Sequence, residues 1–275
     1  MEESREKIVY IVIVVANGLS IISCLFIISI YILAKDLRVY AFKLVIILCI
    51  IDTLKSSSMI LPTYNLKSDD FLCKVQAIFL QFFTLASFMM TFITGLTLYM
   101  CITVKNRDKL DLNYIYGIIV LGFPLIATVI PWFYDEFEKD TVWCWIAKRP
   151  IYWRIVTFYG PLWVLNLINL WVYFKVISKL KAEEHINLRR LRVFPLILII
   201  CYLPATIERS LEIFGYDDDF TLILTMCLGD GLLGLINAIS YGLTDNVKSF
   251  IYKDLCKKRK LSYQELLKYE YNTPE

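Results

Sequence analysis

Seven apolar segments, each long enough to cross a bilayer as a helix, follow one another along this 275-residue chain with only short polar gaps between them. They run about 8–34, 40–62, 73–104, 113–132, 154–180, 192–214 and 220–243. A hydrocarbon core holds no water for unpaired backbone groups, so each segment must close its own hydrogen bonds as a helix. A hydrophobic fraction of 58% and a mean hydropathy of +0.58 point the same way. The expected fold is all-α: a polytopic membrane bundle of seven transmembrane helices plus a short C-terminal amphipathic helix. Residues 1–243 form the bundle domain, and 244–275 the cytoplasmic amphipathic helix and tail.

The third segment is expected at the centre. As a helix, residues 73–104 would span roughly 48 Å, against a hydrocarbon core of about 30 Å. Thr84, Ser87, Thr91 and Thr94 recur at spacings that put four hydroxyls on one face, and Gln76 and Gln81 add polarity elsewhere. A membrane helix polar on several sides is better surrounded by helices than by lipid.

Orientation follows from the basic residues. The ends on the side of the C-terminus carry about twice as many lysines and arginines as the other side. Lys35, Arg38, Lys105, Arg107, Lys179 and Arg189 are among them. The N-terminus is therefore expected outside, the first segment kept as a signal anchor, and the C-terminus in the cytoplasm. Six of the eight cysteines (Cys24, Cys49, Cys101, Cys201, Cys227, Cys256) lie in apolar segments or the tail. Cys73 and Cys144 each stand alone in an outer segment, where an oxidised bridge is plausible; two free thiols are the alternative.

After residue 243, Val247, Phe250, Ile251 and Leu255 share one face opposite Lys248, Lys253, Lys257 and Lys258, with Asp245 or Asn246 as N-cap. Such a helix lies along the inner membrane surface against anionic lipid. Cys256 at its end is a candidate for lipidation, or an unmodified interfacial thiol.

Ionisable groups inside spans are costly and therefore informative. Asp52, Lys55, Asp230, Asn17 and Asn237 lie within segments two, seven and one. Lys55 is three residues from Asp52, close enough for an intrahelical pair. By depth, Asn17, Asp52 and Asn237 can meet in one cluster, either a state-dependent switch or a fixed structural network. Pro161 and Pro204 supply candidate hinges. On the outer side, Glu208, Arg209 and Glu212 cluster at the end of segment six, and Arg154 opens segment five beneath Trp143, Trp145 and Trp153. This suggests an aromatic-rimmed small-ligand site, or tryptophans of the interfacial belt. Arg154 there either meets a ligand phosphate or pairs with an outer-loop acid.

Other classes have less support. The single histidine, His185, leaves little metal or acid–base chemistry, so no metal, cofactor or nucleic-acid partner is expected. Segment seven has no lysine for a retinal Schiff base, and the chain has no His-Glu-x-x-His, Gly-x-Ser-x-Gly or phosphate-binding glycine loop. An enzyme is therefore not expected. An ion- or proton-coupled transporter using Asp52 and Asp230 is the main rival to a receptor.

The stretch Trp143-Cys144-Trp145-Ile146, then Arg154, then Phe158-Tyr159-Gly160-Pro161-Leu162-Trp163, resembles the loop-two and helix-five signature of the cyclic-AMP-receptor-like G-protein-coupled receptors. Cys73-Lys74-Val75-Gln76-Ala77 with Gln81-Phe82-Phe83 is similar to their third helix, and Asn237-Ala238-Ile239-Ser240-Tyr241-Gly242 to their seventh. The resemblance implies a plasma-membrane receptor coupling a small-molecule ligand to a heterotrimeric G protein. Trp145, Arg154, Tyr159, Glu208, Arg209, Gln81 and Thr84 are then the ligand-binding candidates. Lys179, Lys181, Arg189, Arg190 and Arg192 are the G-protein-facing ones. Segment three ends Thr97-Leu98-Tyr99-Met100-Cys101, without the acidic-Arg-aromatic triplet of the larger rhodopsin-like family.

Overall fold

The computed structural model describes residues 2–63, 65–103, 113–180, 188–214 and 219–252, and most of them are helical. In chain order come α1 (Glu2–Leu33), α2 (Tyr40–Met59), α3 (Phe71–Thr103) and α4 (Asn113–Phe133). A hairpin follows, of β1 (Phe137–Asp140) and β2 (Trp143–Ile146). Then come α5 (Gly160–Leu180), α6 (Leu188–Ile213), α7 (Phe220–Gly231), α8 (Leu233–Asn237) and α9 (Asp245–Phe250). A short turn, Tyr152–Arg154, and a π-helical stretch, Ile155–Tyr159, lead into α5.

The bundle is polar within and apolar without. Asn17, Ser20, Asp52, Lys55, Gln76 and Ser87 are all buried, whereas Ile22 is 67% exposed, Leu167 64% and Phe174 69%. Apolar surface of that extent suits lipid and not water. Lipid tails give apolar side chains little reason to cluster, so packing and interhelical hydrogen bonds hold such helices together. The protein is a multi-pass membrane protein.

Among the described residues, α1, α3, α4 and α5 are long and apolar enough to cross a membrane, and α7 with α8 makes a fifth span if the bent pair is one crossing. α2 carries Lys43, Asp52 and Lys55, which lower its hydropathy, yet Asp52 and Lys55 are buried against neighbouring helices. In α6 the residues with described side chains include one apolar helical run, Ile199–Glu208. α3 holds the centre: 67% of its apolar stretch is buried, against 33% for α1, α4 and α5.

The hairpin departs from the all-α expectation. Its strands pair antiparallel, Phe137 with Ile146 and Asp140 with Trp143, and every residue of β2 is buried. A buried loop must pair its backbone groups, and this one pairs with itself. A disulfide joins Cys73, in the first turn of α3, to Cys144 on β2, with a Cα–Cα distance of 5.3 Å. Gln76, one turn further along α3, secures the same spot. Its Oε1 accepts from the Cys144 N–H at 2.7 Å and from Thr63 Oγ1 at 2.6 Å, while its Nε2 donates to the Ser58 carbonyl at 3.1 Å.

Of the candidate hinges, Pro161 follows the π-helical stretch, and α6 runs on through Pro204. In a regular helix the Thr157 carbonyl would accept from the N–H of residue 161, which proline lacks. Gln81 Nε2 donates to it instead, at 3.2 Å. Gly160 is required here, because a Cβ would lie 2.8 Å from the Ile155 carbonyl. The sharp bend falls elsewhere, 42° between α7 and α8. At α9 the N-cap is Thr244, whose side chain accepts from the Val247 N–H at 3.3 Å, and not Asp245 or Asn246.

Candidate functional site

At the hairpin end, β2 and the entry to α5 close with α2, α3, α6 and α7 around a small cavity. Its walls are aromatic: Trp143, Trp145, Phe158, Tyr159 and Tyr202. The rings meet edge to face, Trp145 on Phe158 at 4.8 Å and 82°, an arrangement that stabilises them beyond simple burial. Trp145 is fixed from behind, its indole N–H donating to Gln81 Oε1 at 2.9 Å. One glutamine therefore orients a cavity wall and satisfies the carbonyl above Pro161.

The floor is ionic. Lys55 Nζ lies 2.7 Å from Asp230 Oδ1, donates to the Asp230 carbonyl at 2.8 Å and reaches Tyr202 Oη at 3.5 Å. Tyr202 in turn donates to Asp230 Oδ1 at 2.6 Å. These contacts sit at the break in helix seven, where Leu232 separates α7 from α8. Ser20 of α1 bridges the same break: its hydroxyl donates to the Gly231 carbonyl at 2.5 Å and accepts from the Leu235 N–H at 3.0 Å. A broken helix exposes backbone groups, and here side chains of α1 and α2 take them up.

A second polar group lies deeper. Asp52 Oδ1 accepts from Ser87 Oγ at 2.6 Å, and Oδ2 from Asn237 Nδ2 at 2.9 Å. α2, α3 and α8 are thereby tied through one carboxylate. Two expectations need correction. Lys55 does not pair with Asp52; its longer reach across the bundle finds the Asp230 carboxylate. Asn17 does not hydrogen-bond into the Asp52 group either. Its Nδ2 donates to the Ile13 carbonyl of its own helix at 2.9 Å, which a short amide does readily.

Of the ligand-binding candidates, Trp145, Tyr159 and Thr84 line the cavity, while Gln81 supports it from behind. Arg154 points elsewhere and is fully buried. Its guanidinium donates to Asp140 Oδ2 at 3.0 Å and to the Ile146 carbonyl at 2.6 Å, and stacks 5.1 Å from the Trp145 ring. Arg154 thus pins the hairpin to α5, and a ligand phosphate has no access to it. Glu208 is buried on α6 but is not among the lining residues. Lys181 and Cys256 lie outside the described residues, as do the side chains of Lys179, Arg189, Arg190, Arg192 and Arg209.

Sequence reasoning missed Gln76, Ser20 and Tyr202. Gln76 carried a usable signal, a polar residue three positions after Cys73 and so on the same helical face. Ser20 and Tyr202 carried none, because their roles depend on what lies opposite them.

The chain is a polar-cored membrane bundle with a disulfide-pinned hairpin over an aromatic cavity. Residues 6–193 match the family described as 7 transmembrane receptor (Secretin family). The chain is 30% identical over 263 residues to G-protein coupled receptor 1 of Arabidopsis thaliana, covering 87% of this chain and 79% of that protein. It is 27% identical over 273 residues to Cyclic AMP receptor-like protein A of Dictyostelium discoideum, covering 93% and 71%. Cyclic AMP receptor 4 of the same organism is 23% identical over 227 residues, covering 76% of this chain and 51% of that protein. The chain belongs to the cyclic-AMP-receptor-like family of G-protein-coupled receptors.

Proposed function

We propose that this chain is a seven-helix plasma-membrane receptor that binds a small molecule in the aromatic cavity and passes the signal to a heterotrimeric G protein. The seven spans are α1, α2, α3, α4, α5 with its entry turns, α6, and the bent pair of α7 and α8. The N-terminus faces outward and the C-terminus inward, with α9 on the inner surface and Cys256 available for lipidation. One observation carries the reading. The cavity floor, Asp230, is hydrogen-bonded to Lys55 at the break in helix seven, and the far side of that break ends at Asn237 on Asp52. A ligand touching Asp230 therefore acts on the bend and, through α8, on the deeper polar group. Movement at Pro161 and Pro204 then admits the G protein to the basic residues Lys179, Lys181, Arg189, Arg190 and Arg192.

The test is nucleotide exchange on G proteins co-expressed with the chain. Exchange above that of control membranes is expected, reduced in Arg189→Gln/Arg190→Gln with unchanged surface expression. The rival reading is ion-coupled transport through Asp52 and Asp230. It is less favoured because Ser87 and Asn237 hold one carboxylate and Lys55 and Tyr202 the other, leaving neither poised to shuttle. Ion flux in reconstituted vesicles without nucleotide exchange would overturn the receptor reading.

A further inference from the structure

We infer that the cavity takes a compact aromatic ligand bearing no negative charge, a class that excludes phosphate-bearing nucleotides. The inference rests on the reading that this cavity is the receptor's ligand site. Among the described residues the only ionisable carboxylate, ammonium or guanidinium group in its lining is Asp230, an acid. The rings of Trp145, Phe158 and Tyr202 line the cavity, with Arg154 already over the Trp145 ring and Lys55 over the Tyr202 ring. Such an aromatic wall packs well against a further neutral ring. A phosphate would need a cation with donors to spare. Lys55 has its charge met by Asp230 Oδ1 at 2.7 Å and already donates to the Asp230 carbonyl and to Tyr202 Oη. Pulling Lys55 away would also strip the carbonyl at the helix break. Arg154 lies outside the lining, committed to Asp140 and Ile146. The relatives named for cyclic AMP would then differ from this chain in the charge their cavities accept.

Cys227 lines the same cavity as a thiol outside the disulfide, and it reports the charge preference directly. The full chain, in nanodiscs of phosphatidylcholine, is exposed to three methanethiosulfonates of different charge: trimethylammonium-ethyl, benzyl and sulfonatoethyl. In each case the thiolate displaces methanesulfinate and forms a mixed disulfide. Modification of the Cys227 peptide is followed by mass spectrometry, with each rate divided by that for free cysteine. Cys227→Ser gives the background from the other cysteines. The cationic and benzyl reagents are expected to exceed the anionic one by about tenfold or more. Asp230→Asn, which leaves Lys55 without its counter-ion, should raise the anionic rate. The inference is overturned if the anionic reagent reacts as fast or faster in the native protein. It also falls if Cys227 is closed to all three until the chain is denatured, or if the expected order emerges only in Arg209→Gln. Because the readout needs no signalling, a chain that keeps this order yet drives no nucleotide exchange refutes the receptor reading alone.

Discussion

Lys55 Nζ lies 2.7 Å from the side chain of Asp230 and 2.8 Å from the carbonyl of the same residue, so one ammonium neutralises a buried acid and caps a broken helix. Lys55 is 2% exposed and Asp230 16%. Removing one partner strands the other charge in low dielectric. Lys55→Met and Asp230→Leu alone are each expected to cost about 3–5 kcal/mol of stability. The double variant should recover much of that loss, though not the capping of the carbonyl. Thermal unfolding in detergent measures the coupling, and additive losses would mean that the pair does not form.

The Ser20 bridge makes a local prediction. Ser20→Ala leaves the Gly231 carbonyl and the Leu235 N–H unpaired, at about 1–3 kcal/mol for each buried group. Hydrogen exchange at Leu235 should accelerate, with little change at amides in the middle of α3. Uniform acceleration through the bundle would indicate global destabilisation instead.

Gln81 joins Trp145 to the carbonyl opposite Pro161. Gln81→Leu orphans a buried indole N–H and the Thr157 carbonyl together, an expected loss of at least about 2 kcal/mol. Trp145 would also lose its fixed orientation. A tryptophan emission shift that is absent in Gln81→Leu/Trp145→Phe would identify the ring responsible.

The disulfide closes a sequence separation of 71 residues. For a loop of that length, chain entropy alone gives a stabilisation of about 4 kcal/mol. Cys73→Ser and Cys144→Ser should each lower surface expression, and the double variant should be no worse than either, since both remove one bond. Additive losses would count against the shared bond.

Asp52→Asn tests the deeper group. Asparagine keeps the size, and Ser87 can turn its hydroxyl to accept where it now donates. Folding should therefore change by about 1 kcal/mol or less. Basal nucleotide exchange should shift, because the charge that α8 grips through Asn237 has gone. Unchanged exchange in a well-folded variant would reduce Asp52 to a packing role.

The amino-acid pattern alone determined the membrane bundle and the central third helix, and it marked Cys73 and Cys144 as the plausible bridge that the fold then closes. Each depends on properties carried along the chain: run length, hydroxyl spacing on one helix face, and the isolation of each of two cysteines in its own outer segment. Asp52, Lys55, Asp230 and Asn237 stood out for the same reason, as polar residues in apolar runs. What tertiary structure decided was who meets whom. Lys55 is three residues from Asp52 yet binds Asp230, because its long stem crosses to helix seven while the Asp52 carboxylate turns toward Ser87 and Asn237. Arg154 could meet either a ligand phosphate or an outer-loop acid by sequence, and the fold of the hairpin decides for the acid, Asp140. The bend in helix seven needed no proline, since Ser20 and Lys55 satisfy the groups it opens. Hydropathy is read along one chain, whereas the partner of a buried charge depends on the rotation and depth of several helices at once.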